Sequence, residues 1–165
     1  MHNKYDDEKS LGSIAAHLVT TLYDRNRLVF HFKEAEEILE ERGRADKALT
    51  QLTQKGIVTR LKPGLFQLVP FQMGSEREYM GNQYNVAREL ALSGRKSHED
   101  EYYISYASAF DLHQMTTQPQ LVVYISSTRM SRPHKILGTE FRFVLCKKET
   151  IFGITELWVD KNEKI

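Results

Sequence analysis

The chain of 165 residues holds one cysteine, one tryptophan and four prolines. A lone thiol, Cys146, closes no internal disulfide, which makes a reducing cytoplasm the simplest home. Apolar runs are short: residues 121–125 form one of the longest, far below the ~20 residues of a membrane helix. Residues 1–10 are polar and lack the apolar core of a secretory signal. No charge sign dominates, since 23 Lys and Arg face 22 Asp and Glu for a net of +1. That balance names no partner. The chain is not short of apolar residues either: 41% are hydrophobic and 27% charged, which excludes bulk disorder and collagen-like repeats. Its length suits one generous domain or two small ones. No internal repeat or low-complexity run occurs.

The balanced charge hides three blocks. Residues 33–41 carry one base, Lys33, against five acids, a net of −4. Residues 42–62 carry six bases against Asp46, a net of +5. Residues 129–148 carry six bases against Glu140, again +5. Such blocks are ordinarily solvated faces, and they become informative only when a fold collects them.

In the first half, Leu11, Ala15, Leu18 and Leu22 mark one helix face, with Ser10 as its N-cap. A short strand is expected over 28–32. A second helix carries Ala35, Ile38 and Leu39, ended by Gly43. A third carries Ala45, Ala48, Leu49 and Leu52, closed by Lys55 and a glycine, Gly56. Residues 57–61 and 65–69 flank Lys62-Pro63-Gly64 and read as a β-hairpin. Helix, strand, helix, tight turn, helix, hairpin is the order of a winged helix-turn-helix over residues 1–72. In that motif the last helix enters the DNA major groove. Residues 44–55 would then present Arg44, Lys47, Thr50, Gln51 and Gln54, side-chain types that read base edges. Arg60 and Lys62 of the hairpin would grip phosphates. The competing reading makes these residues the wet face of a surface helix, and the module a protein-interaction or dimerisation unit.

Residues 73–101 read as a linker with a connecting helix marked by Tyr84, Ala87, Leu90 and Ala91. Residues 102–165 read as a small α+β module of mostly antiparallel strands, making the fold class α+β throughout. Strands are expected at 102–105, 121–125, 141–146, 151–154 and 156–159. A short helix over 107–114 should turn Ala109, Phe110 and Leu112 inward, with His113 a further candidate for that side. Between the strands, 126–134 reads as a basic loop. There Arg129, Arg132, His134 and Lys135 form either a nucleic-acid or acidic-partner surface or a soluble loop tip.

Residues 102–113 read YYISYASAFDLH, followed by VVYI at 122–125, TRMSRP at 128–133, and Gly138 ahead of Phe141-Arg142-Phe143. With Leu49-x-x-Leu52 and Lys55-Gly56-Ile57-Val58, this string resembles the AbiEi-type antitoxin family, regulators of type IV toxin–antitoxin systems. The resemblance covers about residues 10–159. It implies a winged helix that binds the protein's own promoter and represses it as a transcriptional autoregulator. It also implies a C-terminal module that counters a nucleotidyltransferase toxin, with or without a stable complex. Family members continue past the position of Lys164 with a further helical segment, so the resemblance implies a shortened C-terminal module.

Enzymatic constellations are lacking: there is no GxSxG, Walker A loop, HExxH or CxxC. Asp111 and His113 lie two apart and share no helix face. Cys146 reads as a structural thiol and Trp158 as a core or interface anchor. No catalytic residue, metal or cofactor is expected.

Overall fold

The structure, a computed structural model, describes residues 11–73, 78–93, 101–118, 120–129, 132–160 and 163–165. The expected N-cap Ser10 lies outside these, and the N-cap position of the first helix is held by Gly12 instead. The chain is mixed α+β and divides into two compact units, Met1–Met80 and Gly81–Ile165.

In the first unit the described elements are α1 (Ser13–Asp24), β1 (Val29–His31), α2 (Phe32–Leu39), α3 (Arg42–Gln54), β2 (Val58–Lys62) and β3 (Leu65–Leu68). The apolar stripes predicted from helical spacing supply the core: Ala15, Leu18 and Leu22 of α1, Ala35 and Leu39 of α2, and Ala45, Ala48, Leu49 and Leu52 of α3. Phe30, Val58, Phe66 and Leu68 close it from the strands. Each leucine buried here contributes about 1.5–3 kcal/mol. The three strands form an antiparallel sheet in the order β1-β3-β2, which places the early strand beside the hairpin. Gly64 in the turn has φ +80°, the left-handed value that the second central position of a type II turn demands after Pro63. Gly56 has φ +68° just past α3 and ends it.

The junction between α2 and α3 differs from expectation. Gly43 does not end α2; it sits in the first turn of α3. The break falls at Glu40, a non-glycine residue held left-handed at φ 57°, followed by extended Glu41. The start of α2 is fixed by Glu34, whose carboxylate accepts the His31 backbone N–H at 3.0 Å and the Arg27 guanidinium at 2.8 and 2.9 Å.

The second unit contains α4 (Gln83–Leu92), β4 (Tyr102–Ile104), α5 (Tyr106–Leu112), β5 (Val122–Ser127), β6 (His134–Ile136), β7 (Thr139–Leu145), β8 (Trp158–Asp160) and β9 (Glu163–Lys164). The segment read as a connecting helix is α4, capped by Asn82, whose side chain accepts Tyr84 N–H at 2.9 Å. It packs against β5. The main sheet runs β4-β5-β7-β6. It is mixed: β5 and β7, its two longest strands, pair in parallel, while β4 and β6 pair antiparallel at the edges. Val123, Ile125 and Phe141 share one face and are fully buried.

Four expectations in this unit are corrected. β5 extends to Ser127 and β6 begins at His134, so the basic loop is shorter than 126–134. Residues 151–154 form no strand. Trp158 sits on β8 and is 64% exposed, outside any core. The inward residue of α5 is Ser108, at 0% exposure, while Phe110 is 53% exposed.

Ser108 faces inward because α5 takes over the edge of β5 where β4 ends. The last ladder bond is Ser105 N–H to Tyr124 C=O at 3.0 Å. Beyond it the Ser108 hydroxyl accepts Tyr124 N–H at 2.9 Å and donates to Val122 C=O at 3.3 Å. One side chain thus stands in for a strand residue and satisfies two backbone groups. A second hydroxyl contact, Ser126 to Ser105 at 2.9 Å, is also buried.

Candidate nucleic-acid interface

Successive residues of α3 rotate about 100° around the helix axis, so its apolar stripe leaves an opposite arc for solvent. Arg44, Lys47, Thr50, Gln51 and Gln54 all lie on that arc and are exposed. The structure divides them. Thr50 and Gln54 line a cleft of about 850 Å³ together with Arg60 of β2 and the Pro63-Gly64 turn. Arg44, Lys47 and Gln51 do not line this cleft; they occupy the other flank of the same exposed arc. Arg44 is drawn to Glu41 at 2.6 Å. Lys62 stands half-buried at the end of β2, and burial pushes its ammonium below the ordinary lysine value.

The cleft also recruits residues that sequence reasoning did not single out: Phe32, Arg42, Asp46 and Thr53. Arg42 stacks its guanidinium 5.4 Å from the centre of the Phe32 ring, which holds the cation at the mouth of α3. Its place in the basic block 42–62 was the signal. A helix read from residue 44 onward leaves Arg42 outside it. Asp46 is an acceptor amid these donors. The walls thus offer amide, hydroxyl and guanidinium donors together with the Asp46 carboxylate, which only accepts and would repel a phosphate.

The second basic block is not one surface. Arg129 is spent on structure: its guanidinium donates to Ser93 C=O at 2.6 Å and its N–H to the Ser127 hydroxyl at 3.2 Å. Arg132 is exposed. His134 lies in β6 with its ring edge-on to Phe143 at 6.2 Å. Lys135 stands opposite Glu140 across the β6–β7 ladder. Arg142 binds Glu140 at 2.7 and 3.1 Å, which holds the Glu140 carboxyl below its usual range, with Lys135 adding to the effect.

Among the described residues no group of three or more His, Cys, Asp or Glu is placed to hold a metal ion. His113 caps the end of α5 and is exposed. Cys146 is half-buried, and burial raises its thiol above the ordinary value. Among the described residues no helix is long and apolar enough to cross a membrane. No protein-family model matches the chain, and no curated protein matches it.

Proposed function

We propose that the first unit is a winged helix-turn-helix and that the protein is a sequence-specific DNA-binding autoregulator, the antitoxin half of a type IV toxin–antitoxin pair. The observation that carries the DNA-binding part is the cleft in which Thr50 and Gln54 of α3 face Arg60 of the hairpin. Two further features support it. The early strand β1 joins the hairpin in the order β1-β3-β2, as a wing requires. Only Glu40 and Glu41 separate α2 from α3, which suits a tight helix–turn–helix crossing.

In this reading α3 lies in the major groove. Gln51 and Gln54 pair with adenine edges, and Lys47 and Arg44 reach guanines or phosphates. Arg60 and Lys62 follow the backbone, and Arg42 holds a phosphate from the mouth of the helix. Repression follows from occupying the promoter and needs no cofactor. The antitoxin assignment rests on the resemblance of residues 102–113 and the strands after them. The implied functional partner is a nucleotidyltransferase toxin.

Alanine substitutions test the reading on a duplex taken from upstream of the protein's own gene. Gln51→Ala and Gln54→Ala should each lose about 1–3 kcal/mol of discrimination at one base pair. Lys47→Ala and Arg60→Ala should weaken native and scrambled duplexes alike and flatten the salt dependence by about one unit. If all four variants bind the native duplex as the parent does, α3 and the hairpin do not form the interface. A protein-docking role for the unit then takes precedence.

A further inference from the structure

One side of the second unit's sheet buries Val123, Ile125 and Phe141; the other is open at its β6–β7 end, where Lys135 and Arg142 are exposed, and closed beside β4, where Ser126 is buried. Strand register places Tyr124, Arg142, Glu140, Lys135 and Tyr103 together on the open side, opposite Val123, Ile125 and Phe141. Arg142 and Lys135 are exposed there, while Tyr103 and Tyr124 are half-buried. The ring of Tyr106 stands at the rim of this face, 5.8 Å from the Tyr124 ring and edge-on to it. Tyr106 is 59% exposed, although its backbone sits in the left-handed region at φ 52°, a costly conformation for a bulky side chain. Arg142 pairs with Glu140 on this side, at 2.7 and 3.1 Å.

Tyr103 and Tyr106 also line a cleft of about 620 Å³, bounded on its far side by Phe152 and Glu156. Among the described residues no lysine or arginine lines this cleft. It therefore suits a flat, uncharged ring with hydrogen-bond donors, and it disfavours a phosphate. The cations lie next door, on the open face. An aromatic cleft whose described lining holds no Lys or Arg, joined to a face with exposed Lys and Arg, matches a polymer of flat neutral rings on an anionic backbone.

We infer that this face and cleft bind a single-stranded nucleic acid, with bases stacking on Tyr106 and Tyr124 and entering the cleft while Arg142 and Lys135 hold phosphates. A duplex, whose bases are stacked within it, cannot use the tyrosines in this way. The activity is independent of the first unit and does not rest on the function proposed for it.

The test is fluorescence anisotropy with a labelled twelve-nucleotide RNA of mixed sequence, the same sequence as single-stranded DNA, and its duplex. The protein is the full chain carrying Lys47→Ala and Arg60→Ala, which weaken the first unit as a competing nucleic-acid surface. Single strands should bind in preference to the duplex. Tyr106→Ala should weaken them about tenfold to hundredfold, and Tyr106→Phe, which keeps the ring, should leave affinity near the parental value. Arg142→Gln, on an exposed position, should reduce the salt slope by about 0.7. RNA bound more tightly than DNA adds contacts to the 2′-hydroxyl, and equal binding leaves stacking and charge alone; both agree with the inference. Absence of single-strand binding, preference for the duplex, or unchanged affinity in both Tyr106→Ala and Arg142→Gln overturns it. On the chain without the first-unit substitutions, native-duplex binding reports that unit separately, so the two readings fail independently.

Discussion

Replacing Ser108 by alanine should destabilise the protein far more than the loss of one hydroxyl on a short helix suggests. The side chain is fully buried and bridges two backbone groups of β5, at 2.9 Å to Tyr124 N–H and 3.3 Å to Val122 C=O. Alanine fits the space but offers neither an acceptor nor a donor. A buried group left unpaired costs about 1–3 kcal/mol. The short Tyr124 contact carries most of that cost, and the longer one to half-buried Val122 less, so the expected loss is about 2–3 kcal/mol. For a chain of this length that corresponds to a fall in Tm of roughly 4–12 °C. Urea unfolding of parent and variant, followed by circular dichroism, measures the difference directly. Ser108→Thr keeps the hydroxyl and separates loss of the bridge from any change in volume. A loss below about 0.5 kcal/mol in the alanine variant would show that the hydroxyl does not replace a strand partner.

Glu40 holds a left-handed backbone between α2 and α3, so Glu40→Gly should raise stability by about 1 kcal/mol, read as a higher urea midpoint at unchanged slope; a lower midpoint would contradict this. The same substitution removes an acid beside the proposed recognition helix and should strengthen duplex binding modestly at low salt. Tyr84 is buried and donates its hydroxyl to the Asp111 carboxylate, and burial, then that bond, pushes its phenol well above the ordinary value of 10.0. Its contribution to stability is therefore fully present below pH 10 and is lost as the pH climbs through its raised value. An absorbance titration should show a late phenol step well above pH 10, and Tyr84→Phe should remove it.

The first unit was largely legible because its signals are local. Ala45, Ala48, Leu49 and Leu52 repeat at helical spacing, and Pro63-Gly64 fixes its turn within three residues. Gly43 departs from its expected role because glycine commonly ends helices, whereas here a glutamate adopts the left-handed turn. The second unit was less legible because its key relations are not local. The parallel pairing of β5 and β7 joins residues 18 apart in sequence, such as Val122 and Glu140. Strand β6 has only three residues, too few for alternation to show. Ser108 reads as polar and outward in α5, and its burial makes sense only once β5 is known to need a partner there. The candidate site followed the same divide. The α3 residues were visible from helical spacing, but the grouping of Thr50 and Gln54 with Arg60, and the exclusion of Lys47 and Gln51 from that cleft, required the fold.

The central claim, that α3 and the hairpin read duplex DNA, is tested most directly by a salt-dependent anisotropy titration. The probe is the duplex from upstream of the protein's own gene, with a scrambled duplex as control. About three to five phosphate contacts per chain should give a slope of log K against log salt near −3 to −5, with tighter binding to the native duplex throughout. Equal, weak binding to both duplexes, or no binding at low salt, would contradict the claim.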